Sequence, residues 1–136
     1  MTGKKEYISG MVNPGIYPML YAFFDQRGRL RKDPFRIQVD ASLSTHAAGV
    51  AILGLGTEVS KLTFEERQEV LEVVAKRIDG RKPLLVTIYG DTITEQIEFS
   101  KLAIQNGASA VMLQPPSHKM GELTLIDFFS KIIEAV

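Results

Sequence analysis

The chain alternates short apolar segments with longer amphipathic ones. Four apolar segments of four to six residues stand at residues 16–21, 50–53, 84–88 and 110–113. Continuous apolar runs of this length are typical of the buried strands of a parallel sheet, and the stretches between them have the apolar periodicity of helices. The order β-α-β-α-β-α-β-α predicts a parallel four-stranded sheet with flanking helices and right-handed crossovers.

Residues that favour helix ends support this pattern. Asp33 as a capping residue before Pro34 predicts the start of the first helix, and Gly49 predicts its end. Each of the next three helices is predicted to open with a capping box, a threonine three residues before an acidic residue. The pairs are Thr63 with Glu66, Thr92 with Glu95, and Thr124 with Asp127. The apolar face of the last helix is expected to comprise Leu125, Phe128, Phe129, Ile132 and Ile133.

Composition narrows the classes of function. The 136 residues fit one domain, residues 1–136, and carry 16 basic and 16 acidic side chains, so no nucleic-acid partner is expected. Cysteine is absent and only two histidines occur, so we expect no metal or other cofactor and no thiolate nucleophile. No apolar segment follows Lys4 and Lys5, and no run is long enough to cross a bilayer. We therefore expect no signal peptide and no membrane partner. The predicted location is cytoplasmic.

Candidate ligand-binding residues stand in the loops that follow the strands, where ligands of parallel α/β folds bind. In Gly54-Leu55-Gly56-Thr57-Glu58, the two glycines would let backbone N–H groups approach a carboxylate or phosphate, although a tight turn with a solvated glutamate explains the same residues. Asp91 is the best-placed acid, and helix capping explains it equally well. The predicted ligand-binding residues are Gly54, Gly56, Thr57, Glu58 and Asp91. His46, in the predicted first helix, and His118, in the fourth loop, are expected to pack or to be solvated.

Motifs in this order resemble the dihydrodipicolinate synthase / N-acetylneuraminate lyase family. The segment 49–58, leading into Leu62-Thr63-x-x-Glu66-Arg67, is similar to the family's Gly-Thr-Thr-Gly-Glu loop and following helix. The other matching motifs are Gly15-Ile16-Tyr17-Pro18, Phe24-Asp25, Gly28, Gly80-Arg81-Lys82-Pro83, Thr94-Glu95, Gly107-Ala108, Pro115-Pro116 and Phe128-Phe129.

The resemblance implies a (β/α)₈ barrel and Schiff-base lyase or aldolase chemistry on pyruvate or related 2-oxo acids. It also implies an imine-forming lysine on the sixth strand and a proton-relaying tyrosine on the fifth. An eight-unit barrel needs about 250 residues, so Val136 falls at the end of the fourth unit. The fifth and sixth strands, which would carry the tyrosine and the lysine, are therefore not among these 136 residues. The family's threonine pair falls on Leu55 and Gly56, and its tyrosine pair on Pro116 and Ser117.

The sequence therefore predicts the (βα)₄ half of a TIM barrel. Burying one large apolar side chain stabilises a fold by about 1.5–3 kcal/mol. If two inward side chains on each of the four strands stay exposed to solvent, the half-barrel lacks on the order of 10–20 kcal/mol of this stabilisation. We expect self-association into a dimer or higher homo-oligomer, or rearrangement to a flavodoxin-like sheet.

Three functions remain open at this point. The first is the N-terminal half of a lyase- or aldolase-family protein without lyase activity of its own, because Lys61, Lys82, Lys101 and Lys119 are expected to be solvated. The second is a small module that binds a 2-oxo acid or another small anion, or that pairs with a separate C-terminal half. The third is a truncated or engineered fragment without a function.

Overall fold

The computed structural model describes residues 12–136. Residues 1–11 lie outside this range. The expectation that the N-terminus contains no signal peptide falls mostly on these residues. Three parallel strands, β1 (Val50–Ile52), β2 (Leu84–Ile88) and β3 (Ala110–Leu113), form a sheet in the order β1-β2-β3. Four helices flank it: α1 (Asp33–Leu43), α2 (Phe64–Ile78), α3 (Ile93–Gln105) and α4 (Glu122–Ala135). The sheet is parallel and the alternation of strands and helices is confirmed.

Only three of the four predicted strands are regular. The segment 16–21 runs parallel to β1 but forms one isolated bridge, between Met19 and Ala51. The N–H of Ala51 donates to the carbonyl of Pro18 (3.0 Å), and the N–H of Leu20 donates to Ala51 (2.9 Å). Proline has no N–H to contribute to a ladder, so this edge is paired only in places.

The consecutive strand order is compatible with part of a barrel wall and differs from that of a flavodoxin-like sheet. A flavodoxin-like sheet would reverse direction, with the first strand between the second and the third. Here β2 lies between β1 and β3, with Val50 opposite Leu84 and Leu85 opposite Ala110. Each strand is added on the same side of the strand that precedes it in the chain, as in a barrel wall.

The core lies between the sheet and the helices. Val86 and Ile88 of β2 pack in it with the apolar faces of α1, α2 and α3, which contribute Phe35, Val39, Val70, Leu71, Val74, Ile78, Phe99 and Ala103. Because side chains alternate along a strand, Leu85 and Thr87 face the opposite side.

The side of the sheet away from the helices is less apolar than predicted. By the same alternation it carries Ala51, Leu85, Thr87, Ala110 and Met112, so only two of its strand side chains are large and apolar. Strands β1–β3 therefore contribute fewer large inward side chains than the two per strand supposed above, because small or polar residues occupy the other inward positions.

Two predicted capping boxes are confirmed. The Thr63 hydroxyl accepts the N–H of Glu66 (3.1 Å), whose carboxylate accepts the N–H of Thr63 (2.9 Å), and Thr92 and Glu95 repeat both contacts. The third box is wrong. Helix α4 begins at Glu122 after Gly121, without a side-chain cap, and Thr124 lies inside its first turn. The N–H of Leu125 already donates to the carbonyl of Gly121 (2.9 Å), which leaves Thr124 no capping role.

The ends of α1 also differ from prediction. Asp33 is already helical and caps nothing; it pairs with Arg36 (2.5 Å) one turn later. The helix stops at Leu43 rather than near Gly49, so His46 lies beyond it in a turn. Lys82 caps this end of the helix, because its ammonium group donates to three backbone carbonyls, one in the last turn and two beyond it. They belong to Ser42 (3.2 Å), Thr45 (2.9 Å) and Ala47 (2.8 Å).

Helix α4 buries only part of its predicted apolar face. Phe128 and Ile132 are buried, whereas Ile133 is 68 % exposed. Leu123 and Ile126 are exposed as well and lie with Ile133 at helical spacings of three and seven. This second apolar stripe, Leu123-Ile126-Ile133, faces away from the core.

Candidate functional site

The loop after β1 is built from two short 3₁₀ turns. The turns Leu55–Thr57 and Val59–Lys61 are joined at Glu58, which adopts the left-handed conformation (φ 56°). Leu53, at the end of the strand, is also left-handed (φ 61°) although its side chain is fully buried. This conformation is costly for a bulky residue and tends to occur at functional sites, where surrounding contacts enforce it.

Thr57 supplies those contacts. Its hydroxyl accepts the N–H of Leu53 (3.0 Å) and donates to the carbonyl of Leu20 (2.5 Å), so it joins the loop to both β1 and the edge segment. The side chain is fully buried. Thr57 therefore shapes the loop from below, and its hydroxyl does not point toward a ligand.

Glu58 lies on the surface of the same loop. Its carboxylate pairs with the ammonium of Lys61 (2.7 Å), and both side chains are more than half exposed. An exposed pair of this kind contributes little to stability. The carboxylate is thus available at the rim of the loop, but its charge is already balanced by Lys61.

Gly54 and Gly56 lie under the side chain of Met19. A Cβ at Gly54 would come within 2.4 Å of the Met19 Cε, and a Cβ at Gly56 within 3.0 Å of its Cγ. A Cβ at either position would therefore require the Met19 side chain to shift, through its flexible terminal methyl group at Gly54 and by a few tenths of an ångström at Gly56. The Gly54 N–H donates to the Met19 sulfur (3.3 Å), while no hydrogen bond from the N–H groups of Leu55 or Gly56 is found within residues 12–136.

Thr87 is a neighbour of this loop that the sequence analysis missed. It is 3 % exposed, and its hydroxyl oxygen lies 3.3 Å from the position of a Cβ on Gly54. A polar residue at an inward position of an otherwise apolar strand was the available signal. Met19, on the other side of Gly54, gave no comparable signal, because an apolar residue in an apolar segment is expected.

Asp91 joins the loops that follow β2 and β3. Its carboxylate accepts the N–H of Ser117 (2.7 Å), while Thr92 caps α3, so the capping interpretation of Asp91 is wrong. Hydrogen bonds from the Ser117 N–H, and then from its hydroxyl, hold the pKa of Asp91 below its ordinary value, and the charge of His118 acts in the same direction. Asp91 is therefore a carboxylate at neutral pH.

Two buried side chains, also missed, hold the ends of β2 and β3. The guanidinium of Arg67 donates to the carbonyls of Tyr89 and Thr63 and lies within 5.5–5.7 Å of the ring centroids of Phe64, Tyr89 and Phe99. Burial lowers the pKa of Arg67. The amide of Gln96 donates to the carbonyls of Gly90 and Gln114 (2.8 Å each), so it links the two strand ends. The sequence of an amphipathic helix does not show that one of its arginine or glutamine side chains will be buried and will bind the backbone carbonyls of a neighbouring strand end.

Residues 12–136 contain neither a cluster of metal-ligating side chains nor a membrane-spanning helix. No group of three or more His, Asp or Glu side chains is placed to hold a metal ion in this part of the chain. No helix in it combines the length and the apolar character needed to cross a membrane.

These features define one class of protein, the parallel α/β barrels, of which this chain contributes consecutive units with the ligand loops at the carboxyl ends of the strands. The model of the Dihydrodipicolinate synthetase family matches residues 13–136. The chain belongs to this family, and the resemblance of its motifs is confirmed.

Individual relatives agree with this assignment. The chain is 30 % identical over 127 residues to the 4-hydroxy-tetrahydrodipicolinate synthase of Pelobacter propionicus, covering 93 % of this chain and 43 % of the relative. YagE of Escherichia coli K12, a prophage protein of the dihydrodipicolinic acid synthase family solved in complex with pyruvate, superposes with a TM-score of 0.83 at 31 % identity, covering 90 % of this chain and 41 % of YagE. The N-acetylneuraminate lyase of Mycoplasma synoviae gives 0.83 at 26 % identity, with 90 % and 43 % covered. The chain thus spans about two fifths of the length of these relatives.

Proposed function

We propose that this chain is the N-terminal barrel half of a lyase or aldolase of the dihydrodipicolinate synthase / N-acetylneuraminate lyase type, and that the 136 residues alone have no lyase activity. The proposal is supported by the family membership and by the consecutive parallel strands. The ligand we propose is a 2-oxo acid or another small anion. Gly54 and Gly56 would bind it through backbone N–H groups, Thr57 would fix the loop, and Glu58 and Asp91 would stand at the rim.

The position of the lysines is the observation that carries the proposed inactivity. An imine-forming lysine needs a desolvated amine with a lowered pKa. None of the described strands contains a lysine. Lys61 is paired with Glu58, Lys82 is held by three carbonyls at the opposite end of the sheet, and Lys101 and Lys119 are exposed. The expectation that Lys82 is solvated is wrong, but its actual position is equally unsuited to the chemistry.

Reductive trapping tests this proposal. The 136-residue chain is incubated with pyruvate and sodium borohydride, and its intact mass is measured. An imine forms with loss of water, and borohydride then fixes it as a stable secondary amine. We expect no adduct on this chain, whereas a full-length synthase of the family run in parallel should be labelled. A pyruvate-dependent adduct on the chain would overturn the proposed inactivity.

A second candidate function is assembly, either with further copies of the chain or with a separate C-terminal half. Within residues 12–136, β3 pairs only with β2, which leaves its other edge open. The stripe Leu123-Ile126-Ile133 is exposed on the adjoining helix, and Met112 is 39 % exposed on the inner face. Open strand edges and exposed apolar stripes favour pairing with a partner. We therefore propose a dimer or higher homo-oligomer.

Light scattering coupled to size exclusion distinguishes these arrangements. The chain is measured alone and after mixing with the C-terminal half of the Pelobacter propionicus synthase. A multimeric mass for the chain alone would support self-association, and a monomeric mass with a cooperative melt would contradict it. A stoichiometric complex that also acquires pyruvate adducts would support pairing with a C-terminal half, and the absence of both a complex and adducts would contradict that pairing.

A further inference from the structure

Two polar side chains stand on the buried face of α3. This face comprises Gln96, Phe99, Ser100 and Ala103, at spacings of three and four residues, and all four are fully removed from solvent. The Oε1 of Gln96 and the Oγ of Ser100 are the two buried side-chain atoms within residues 12–136 that have no hydrogen-bond partner there. Buried polar atoms normally have partners, so these two exceptions call for an explanation.

The orientation of the Gln96 amide is fixed by the strand ends. Its NH₂ group donates to the carbonyls of Gly90 and Gln114 (2.8 Å each), and these contacts use both of its hydrogens. If the amide were turned over, its oxygen would face two carbonyl oxygens and both contacts would become repulsive. Oε1 therefore points away from the two carbonyls, and a donor for it must come from another direction.

Ser100 lies one helical turn after Gln96 on the same face. Side chains four residues apart in a helix have Cβ atoms about 5–6 Å apart. A helical serine can donate to the carbonyl four residues before it, here that of Gln96, but the Ser100 hydroxyl does not, and it does not bond to Oε1 either. Because each O–H···O bond spans about 2.7–2.8 Å, a single water molecule between the two side chains has the reach to bond both.

The surroundings favour a small neutral molecule over an ion. Oε1 is only an acceptor, which disfavours an anion. The guanidinium of Arg67 lies 5.6 Å from the ring centroid of Phe99 on the same face of α3, and its positive charge disfavours a cation. Helix α3 packs against β2, β3 and α4, so the site is enclosed. A water with two to four polar partners is the usual molecule in such a place.

We propose that one water molecule is bound between Oε1 of Gln96 and Oγ of Ser100, and that it holds the Gln96 amide against the ends of β2 and β3. The water donates one hydrogen to Oε1 and exchanges its second bond with the Ser100 hydroxyl, so both unpartnered atoms are satisfied. An amide that is bonded on both of its sides has no reason to turn away from the carbonyls of Gly90 and Gln114.

Gln96 is thereby a positioning residue for the loops that follow β2 and β3. Gly90 directly precedes Asp91, and Gln114 stands three residues before Ser117. The Asp91 carboxylate accepts the N–H of Ser117 (2.7 Å), so it joins the same two loops that the Gln96 amide joins. The water site is independent of the proposed function, and only the importance of Asp91 as a residue of the ligand rim rests on it.

Water–protein NOE and ROE spectra of the full 136-residue chain detect the bound water. Cross-peaks with water, of opposite sign in the two spectra as for a long-lived buried water, are expected at the side-chain NH₂ of Gln96. Ser100→Ala should weaken them at least about twofold, because the water loses one of its partners. Ser130→Ala removes a hydroxyl from an exposed position of α4 and should leave them unchanged.

Thermal unfolding of the same variants supplies a test by sign. Ser100→Ala should lower the melting temperature by about 2–5 °C, because Oε1 of Gln96 loses its bound donor. If the Ser100 hydroxyl had no partner in solution, the same substitution would remove an unsatisfied buried group and raise the melting temperature. A raised melting temperature, or the absence of a water cross-peak at Gln96 in the unmodified chain, would overturn the water site.

Amide hydrogen exchange tests the positioning role. Ser100→Ala and Gln96→Met, which keeps the length of the side chain without its amide, should each speed exchange of the Ser117 N–H at least about threefold, with exchange of Val74 in α2 unchanged. Unchanged Ser117 exchange would overturn the positioning role and leave the water site standing. If Gln96→Met does not fold, Ser100→Ala alone decides this point. None of these measurements uses pyruvate, so their failure is distinct from a failure of the proposed function.

Discussion

Replacing Thr57 by valine should destabilise the protein far more than the loss of one loop hydroxyl suggests. Valine keeps the shape of the side chain but leaves the N–H of Leu53 and the carbonyl of Leu20 without a partner. Both residues are at most 2 % exposed, so water cannot replace the hydroxyl. Each unsatisfied buried group costs about 1–3 kcal/mol, so the two together should lower the free energy of unfolding of Thr57→Val by about 2–6 kcal/mol.

Urea unfolding followed by circular dichroism measures this loss. Thr57→Ser retains both hydrogen bonds and loses only a methyl group, so it should cost about 1 kcal/mol. Thr94→Val, at an exposed position of α3, should change stability by less than about 0.5 kcal/mol. If Thr57→Val cost no more than Thr57→Ser, the hydroxyl would not be what holds Leu53 in its left-handed conformation, and our account of the loop would be wrong.

Three further predictions follow from the other contacts. Thr92→Ala should cost about 1 kcal/mol in urea unfolding because it removes a capping box, whereas Thr124→Ala should be nearly neutral; equal effects would contradict the start assigned to α4. Lys82→Met should cost about 1.5–3 kcal/mol by withdrawing a charged donor from three carbonyls, and a loss below about 0.5 kcal/mol would show that these carbonyls do not need it. The lowered pKa of Asp91 stabilises the fold above the ordinary aspartate pKa, and this contribution is lost as pH falls through the folded-state value, below about pH 4. Asp91→Asn should therefore flatten the acid limb of the stability profile, and an unchanged limb would contradict the role of the Ser117 contact.

Features that depend on neighbouring residues could be predicted from the sequence. The capping boxes at Thr63 and Thr92 need only a partner three residues away, and the buried strands show in their continuous apolar runs. The end of α1 could not be predicted, because the lysine that takes its last carbonyls stands about forty residues later in the chain. The box at Thr124 was misleading, since the helix begins two residues earlier and leaves the threonine inside its first turn.

The candidate site also has features that the sequence predicts and contacts that it does not. The glycine-rich loop and Asp91 could be recognised from their position after strands, but their contacts could not. Thr57 could be taken for a ligand-binding residue until its hydroxyl was seen to bind the backbone of two other segments. Met19 and Thr87 meet at Gly54 only because the edge segment, β1 and β2 lie side by side, and this proximity is a property of the fold rather than of any local pattern.

The uninterrupted order of the sheet also has a consequence for how the chain acquires its structure. Within the described residues, β2 pairs with β1 and β3 pairs with β2. The residues that pair are therefore separated in sequence by only one helix and its two loops. Such a topology has a moderate contact order, and short closures are the fastest to form. During synthesis, β1 and β2 can therefore associate as soon as Ile88 has left the ribosome, and each later unit adds to an existing template.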